Sequence, residues 1–321
     1  MQPLYPLRFT PILRRHLWGG RRLQGVLNKQ LGPGDDYAES WEIVDHGADQ
    51  SVVQNGPLVG TTLHDLLTRH GAALLGRHHP LPSFPLLLKF LDARQTLSVQ
   101  VHPNDQQASR LNPPDQGKTE AWYILQADPG SLIYAGLKRG FDAAALTREL
   151  SRGTAELCLH RFEPKPGDCI LIPAGTIHAI GAGIVLAEIQ QSSDTTYRLY
   201  DWNRVGPGGQ PRALHLEAAL AVIDFQRGPL SPMELRATDN PQIHRLVECD
   251  KFIWDRWELS ASQDLADDNR CHIVAVIDGE VSVSGEDQPL RTGDSVLLPA
   301  SRNPTQLRPR GQARLLDAYL P

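Results

Sequence analysis

Three stretches of the sequence carry residue types able to hold a metal ion. In Leu97-Ser-Val-Gln-Val-His102 the alternation of a strand puts Leu97, Val99 and Val101 on one face and Ser98, Gln100 and His102 on the other. The bases of Gln100 and His102 then stand roughly 6 to 7 Å apart, so an amide oxygen and an imidazole can converge on one ion. In Gly117-Lys-Thr-Glu-Ala-Trp-Tyr-Ile-Leu125 the same rule gathers Lys118, Glu120 and Trp122 on one face. His178 ends a strand and tight turn that begins at Asp168. Each has an ordinary reading alone: a solvated strand face, a rim charge, a structural histidine. Together they form the nitrogen and oxygen donor set of a catalytic zinc or iron site with one position left open.

A fourth stretch, Glu188 to Asn203, puts Thr196, Arg198 and Tyr200 on one face of a predicted strand. An arginine among apolar residues needs an anionic partner. Substrate oxygens or a phosphate would serve, and so would Asp201 or Glu188. For a phosphate the basic candidates are Arg198, Lys118, Lys89, Lys138 and Arg139, and spacing does not choose among them. His16, His78, His79 and His215 have no comparable setting and read as surface or packing residues.

The elements that must position these groups are mostly strands. With 25 prolines and 27 glycines, the chain breaks into many short alternating segments, so the fold class is all-β dominated with a few added helices. Helices are expected over Thr62–Leu75, where Thr62 and Asp65 resemble a capping box and Gly76 is a stop, over Leu214–Phe225, and more weakly over Phe141–Leu150. The polar loop 103–117 lies where it can cover a pocket.

An internal echo sets the domain plan. Gly167-Asp-Cys-Ile-Leu-Ile-Pro173 is matched by Gly293-Asp-Ser-Val-Leu-Leu-Pro299, which predicts two copies of one β module. The first copy runs on to His178, whereas Pro304 stands at that place in the second. Arg227-Gly-Pro-Leu-Ser-Pro232 reads as a linker, giving an expected catalytic domain 1–235 and a C-terminal β domain 236–321.

Composition narrows the partners. The 321 residues carry 32 basic and 37 acidic side chains, scattered, for a net charge of -5, so no footprint for nucleic acid or an anionic membrane is present. Cys158, Cys169, Cys249 and Cys271 show no C-x-x-C spacing and read as buried thiols. No apolar run has the length of a signal peptide or a membrane span, and the expected location is cytoplasmic.

The spacing Gly167-x5-Pro173-x-Gly175-x2-His178 resembles the second motif of the cupin superfamily, and the chain departs from the first motif by offering Gln100-x-His102 and then Glu120 after a long loop. With Trp18-Gly-Gly20, Glu39-Ser-Trp-Glu42, Leu97–Pro103, Gly117–Tyr123 and Thr196-Tyr-Arg-Leu-Tyr-Asp-Trp202, it is similar to type I mannose-6-phosphate isomerase in its short bacterial form. That resemblance implies two cupin-type β-barrel modules, the second degenerate and without metal. It implies one Zn2+ or another divalent ion on Gln100, His102, Glu120 and His178, with Arg198 as the active-site arginine and Lys118 and Ser98 lining the pocket. The implied substrate is a sugar phosphate, without an organic cofactor, in a monomer or homodimer. The competing readings are a cupin Fe(II) dioxygenase and a non-catalytic sugar-binding cupin.

Overall fold

The computed structural model describes residues 4–205 and 209–321. The chain divides into two compact units. One combines the stretch ending at Arg15 with Arg21–Phe90 and Glu234–Pro321; the other combines His16–Gly20 with Leu91–Met233. The chain thus passes between units beside the expected boundary at 235, and the segment Arg21–Phe90 groups with the tail.

All the candidate donors lie in the Leu91–Met233 unit, whose strands we number β1 Val99–Val101, β2 Glu120–Ala127, β3 Ile133–Leu137, β4 Leu159–Phe162, β5 Cys169–Ile172, β6 His178–Ile180, β7 Ile184–Gln191 and β8 Tyr197–Tyr200. One sheet contains the run β5-β2-β7 and the other the run β4-β3-β6-β1-β8, with antiparallel pairing throughout. The apolar face of β1 explains how the second sheet sits. Val99 and Val101 join Ile177, Ala179 and Leu199 in a core that also takes Leu146 of helix Ala143–Arg152 and Ala219 of helix Leu216–Val222. Burying each such side chain contributes about 1.5 to 3 kcal/mol for the larger aliphatics. With that face committed to the helices, Ser98, Gln100 and His102 turn to the space between the sheets.

The expected helices are present with shifted ends. Leu63–Leu75 is capped by Thr62, whose Oγ1 accepts from Asp65 N at 3.1 Å, and stops at Gly76, where φ is 58°. The weak candidate near 141–150 forms over Ala143–Arg152 because Asp142 accepts from Ala145 N at 2.8 Å. The third is shorter than its apolar stripe, Leu216–Val222. Loop 103–117 folds its own turn of helix, Asp105–Ala108, closed by a capping box between Asn104 and Gln107. Residues 227–233 are laid against the barrel, with Leu230 N donating to Ala135 O and Met233 N to Cys169 O.

One expectation is corrected. The pairing of β8 with β1 slips between Arg198, opposite Gln100, and Tyr200, opposite Val99. The bulge sends Tyr200 to the apolar core while Arg198 stays on the polar side, so the two do not share a face.

The repeat is real at the level of register. Continuing the numbering in the C-terminal segment, β9 is Ile253–Leu259, β10 His272–Asp278, β11 Ser295–Leu298 and β12 Ala313–Tyr319. Gly167 N donates to Ile124 O at 2.8 Å and Gly293 N to Val276 O at 2.8 Å; Asp168 accepts from Lys165 N at 2.8 Å and Asp294 from Arg291 N at 2.9 Å. In the first copy Ile172 is opposite Glu120, and in the second Leu298 is opposite His272.

Candidate metal centre and active site

The centre is built by His102 just past β1, Glu120 opening β2 and His178 opening β6, three buried residues whose ligand atoms all lie within 4.8 Å of one another. The backbone sets the tautomers. His102 Nδ1 lies 2.9 Å from Thr195 O and His178 Nδ1 lies 2.8 Å from Thr176 O. A carbonyl only accepts, so each Nδ1 carries the proton and each Nε2 presents its lone pair to the centre.

The acidities agree with neutral rings. Burial, and then the Lys118 ammonium, push His102 well below its ordinary value, and burial lowers His178. Burial would raise the Glu120 carboxyl, but Lys118, His102 and His178 outweigh it and hold the group below the usual carboxylate range.

These lone pairs face one another. His178 Nε2 is buried with no hydrogen-bond partner and sits 3.3 Å from Glu120 Oε1, while His102 Nε2 is 3.5 Å from Glu120 Oε2. Acceptor against acceptor is repulsive unless a cation stands between them. The Lys118 ammonium supplies part of that charge, bonded to Glu120 and lying 3.3 Å from His102 Nε2 and 3.5 Å from Glu188. Two neutral imidazoles and a carboxylate on fixed strands are a donor set suited to a divalent ion with room for further ligands.

Next to the centre runs a row across the second sheet. His178 and Arg198 are the two register partners of Gln100, one on each side. Directly opposite residues share a face at about 5 Å, so Gln100 occupies the strand position between the histidine and the arginine. Arg198 Nε donates to Ser98 Oγ at 3.0 Å and Nη1 to Ala213 O at 3.2 Å, while burial and then the nearby Arg212 lower its pKa.

The sequence comparisons agree with this geometry. Residues 7–126 match the family described as phosphomannose isomerase type I, catalytic domain, and residues 242–319 match the mannose-6-phosphate isomerase cupin domain. The mannose-6-phosphate isomerase ManA of Bacillus subtilis is 40% identical over 301 residues, covering 92% of this chain and 93% of the relative. The chain belongs to the type I phosphomannose isomerase family. The mannose-6-phosphate isomerase of Streptococcus mutans is 34% identical, with 92% of each chain covered. The crystal structure of the mannose 6-phosphate isomerase from B. subtilis superposes with a TM-score of 0.90 at 30% identity, covering 99% of this chain and 100% of that one. Family membership favours neither a dioxygenase nor a non-catalytic cupin.

Among the predicted residues, His102, Glu120, His178 and Lys118 converge, and Ser98 and Arg198 pair beside them. Lys138 and Arg139 are exposed, with Lys138 bonded to Leu157 O, and Lys89 belongs to the other unit, where it pairs with Glu39 at 3.5 Å. Glu188, considered from sequence as a partner of Arg198, is instead a neighbour of Lys118. His215, read as surface or packing, has its Nδ1 accepting from Arg198 N at 3.2 Å. All four cysteines are free thiols, three of them buried. Among the described residues no helix is long and apolar enough to cross a membrane.

Proposed function

We propose that this chain interconverts D-mannose 6-phosphate and D-fructose 6-phosphate in the cytoplasm, with Gln100, His102, Glu120 and His178 holding one divalent cation, Zn2+ in our reading. The opposition of the His178 and Glu120 lone pairs at 3.3 Å is the observation that carries it. When bound, such an ion acts as a Lewis acid toward the sugar oxygens. Residues 1–235 are the catalytic domain in this reading and 236–321 a degenerate cupin.

The chain's own groups then divide the work. Thr195 O and Thr176 O keep the Nε2 atoms aimed at the centre. The donor set has a single negative charge, from Glu120, so a divalent ion there retains a net positive charge. The reaction moves a proton between C2 and C1 through a cis-enediol, and negative charge develops on the sugar oxygens. Arg198, held through Nε by Ser98 and through Nη1 by Ala213, turns its remaining guanidinium donors to those oxygens, and Lys118 adds a compact charge beside Glu120 and Glu188. The buried surroundings strengthen each of these interactions.

The test is a coupled assay for fructose 6-phosphate from mannose 6-phosphate, before and after chelation. Turnover that stops on chelation and returns with Zn2+ supports the reading. Turnover indifferent to chelation, or none in the metal-loaded protein, contradicts it.

A further inference from the structure

A hexose 6-phosphate reacts at C1 and C2 and carries its phosphate at the opposite end. The phosphate must therefore be met away from the metal donors. The polar face of β1 supplies the direction. His102 and Gln100 lie at the donor end, and Ser98 with its bound Arg198 lies one side-chain step further, about 7 Å along the strand. Beyond Ser98 the backbone is held by Trp202 Nε1, which donates to Leu97 O at 2.6 Å, and by Arg204 Nη1, which donates to Thr96 O at 2.6 Å.

A cleft of about 400 Å³ lies in this region, its wall including Trp18, Gln95, Asp201, Arg204 and Arg212. The charges there are unbalanced. Asp201 pairs with Arg204 and lies 3.9 Å from Arg212, so two guanidiniums share one carboxylate on the cleft wall, and Arg198 feels all three charges. Two of the three guanidiniums are committed. Arg204 is bonded to Asp201 and Thr96, and Arg198 to Ser98 and Ala213. Arg212 is not. Its Nη1 is 3.9 Å from Asp201, beyond hydrogen-bond range; it makes no side-chain hydrogen bond to a described residue, and its side chain is one-third exposed.

A guanidinium on a cleft wall with its fork of donors unused, in a locally cationic field, matches a phosphate monoester. We propose that Arg212, backed by the charge of Arg204 on the same cleft wall, receives the substrate's phosphate and sets the preference for the phosphorylated sugar. This rests on the isomerase reading above. Asp201 offsets one charge and holds Arg204 in place, which leaves Arg212 to adjust to the ligand.

The experiment compares the metal-loaded wild type with Arg212→Gln and Arg212→Lys by steady-state kinetics on mannose 6-phosphate and by calorimetric titration with inorganic phosphate. The expected result for Arg212→Gln is a KM about ten- to a hundredfold higher, kcat within about threefold, and phosphate affinity weakened alongside KM. Arg212→Lys recovers part of both, because an ammonium keeps the charge but loses the fork. An unchanged KM, or a loss confined to kcat, overturns the assignment. If Arg212→Gln fails to fold, the lysine variant decides by the same two readouts. Failure of the wild type to form fructose 6-phosphate would overturn the isomerase reading and is seen before any variant is made, whereas phosphate binding that ignores residue 212 overturns the subsite whatever the turnover.

Discussion

His272 occupies, in the second module, the register position that Glu120 occupies in the first: each faces the last residue of the short strand that follows the shared Gly-Asp turn. Its neighbour on the next strand, Asp317, likewise stands where Glu188 stands, opposite Val274 as Glu188 is opposite Trp122. The second module thus fills its centre with an ion pair. Asp317 takes His272 Nδ1 at 3.0 Å, Asp268 takes Nε2 at 3.3 Å, and the Tyr319 ring lies 4.6 Å away.

This pair predicts an alkaline loss of stability. Despite burial, the two carboxylates raise His272 from 6.5 to about 9. A raised folded pKa stabilises fully below the unfolded value of about 6.5 and is lost as pH climbs through about 9, by on the order of 3 kcal/mol. Urea midpoints measured from pH 6 to 10 should fall across that window in the wild type and much less in the double variant His272→Gln/Asp317→Asn. Parallel curves would show that His272 is not charged in the fold.

Glu120→Gln should remove the metal and the activity together. The substitution keeps the shape but deletes the one anionic donor, leaving Lys118 with the Glu188 carboxylate 3.5 Å away. Elemental analysis should find metal well below one per chain after dialysis, with turnover lower by at least about a hundredfold. Full metal content in this variant would place the ion elsewhere.

Arg198→Ala should separate the two properties. Arg198 is hydrogen-bonded to Ser98 and Ala213 rather than to His102, Glu120 or His178, so metal content should hold while kcat/KM falls about 10² to 10³-fold. Ser98→Ala, which loosens only the brace, should cost less, about five- to tenfold. Equal effects of the two would mean that Arg198 acts only through its brace.

The converging groups were legible because they obey local rules. Alternation put Lys118 with Glu120 and set His102 on the polar face of its strand, and the Gly-to-Pro spacing led to His178. What escaped depends on long-range pairing. Glu188 meets Lys118 only because β7 lies beside β2, and no spacing within 188–203 could say so. The bulge that parts Arg198 from Tyr200 belongs to the match between β8 and β1, and strict alternation misses it. Arg212 sits after the last strand of its unit, where no periodicity aims a side chain. The helix near 214–225 is shorter than its apolar stripe, which continues past the point where Ile223 turns extended.

Gly117→Ala should reach the site through the loop. A Cβ there would come within 2.5 Å of Asp105 N and 2.7 Å of Asn104 C, backbone held by the Asn104 capping box. Either the short helix or Lys118 must move. We expect a lower melting temperature, by several degrees, and a kcat reduced about tenfold or more with metal retained. Wild-type kinetics in this variant would show that Lys118 tolerates displacement.

The most direct test of the whole account is to strip the protein of metal and titrate Zn2+ back while following fructose 6-phosphate formation, in the wild type and in His178→Ala. The account predicts activity that rises to a plateau at one equivalent in the wild type and stays near zero in the variant. Stripped protein that isomerises at the full rate, or a His178→Ala enzyme that recovers with the same stoichiometry, would contradict it.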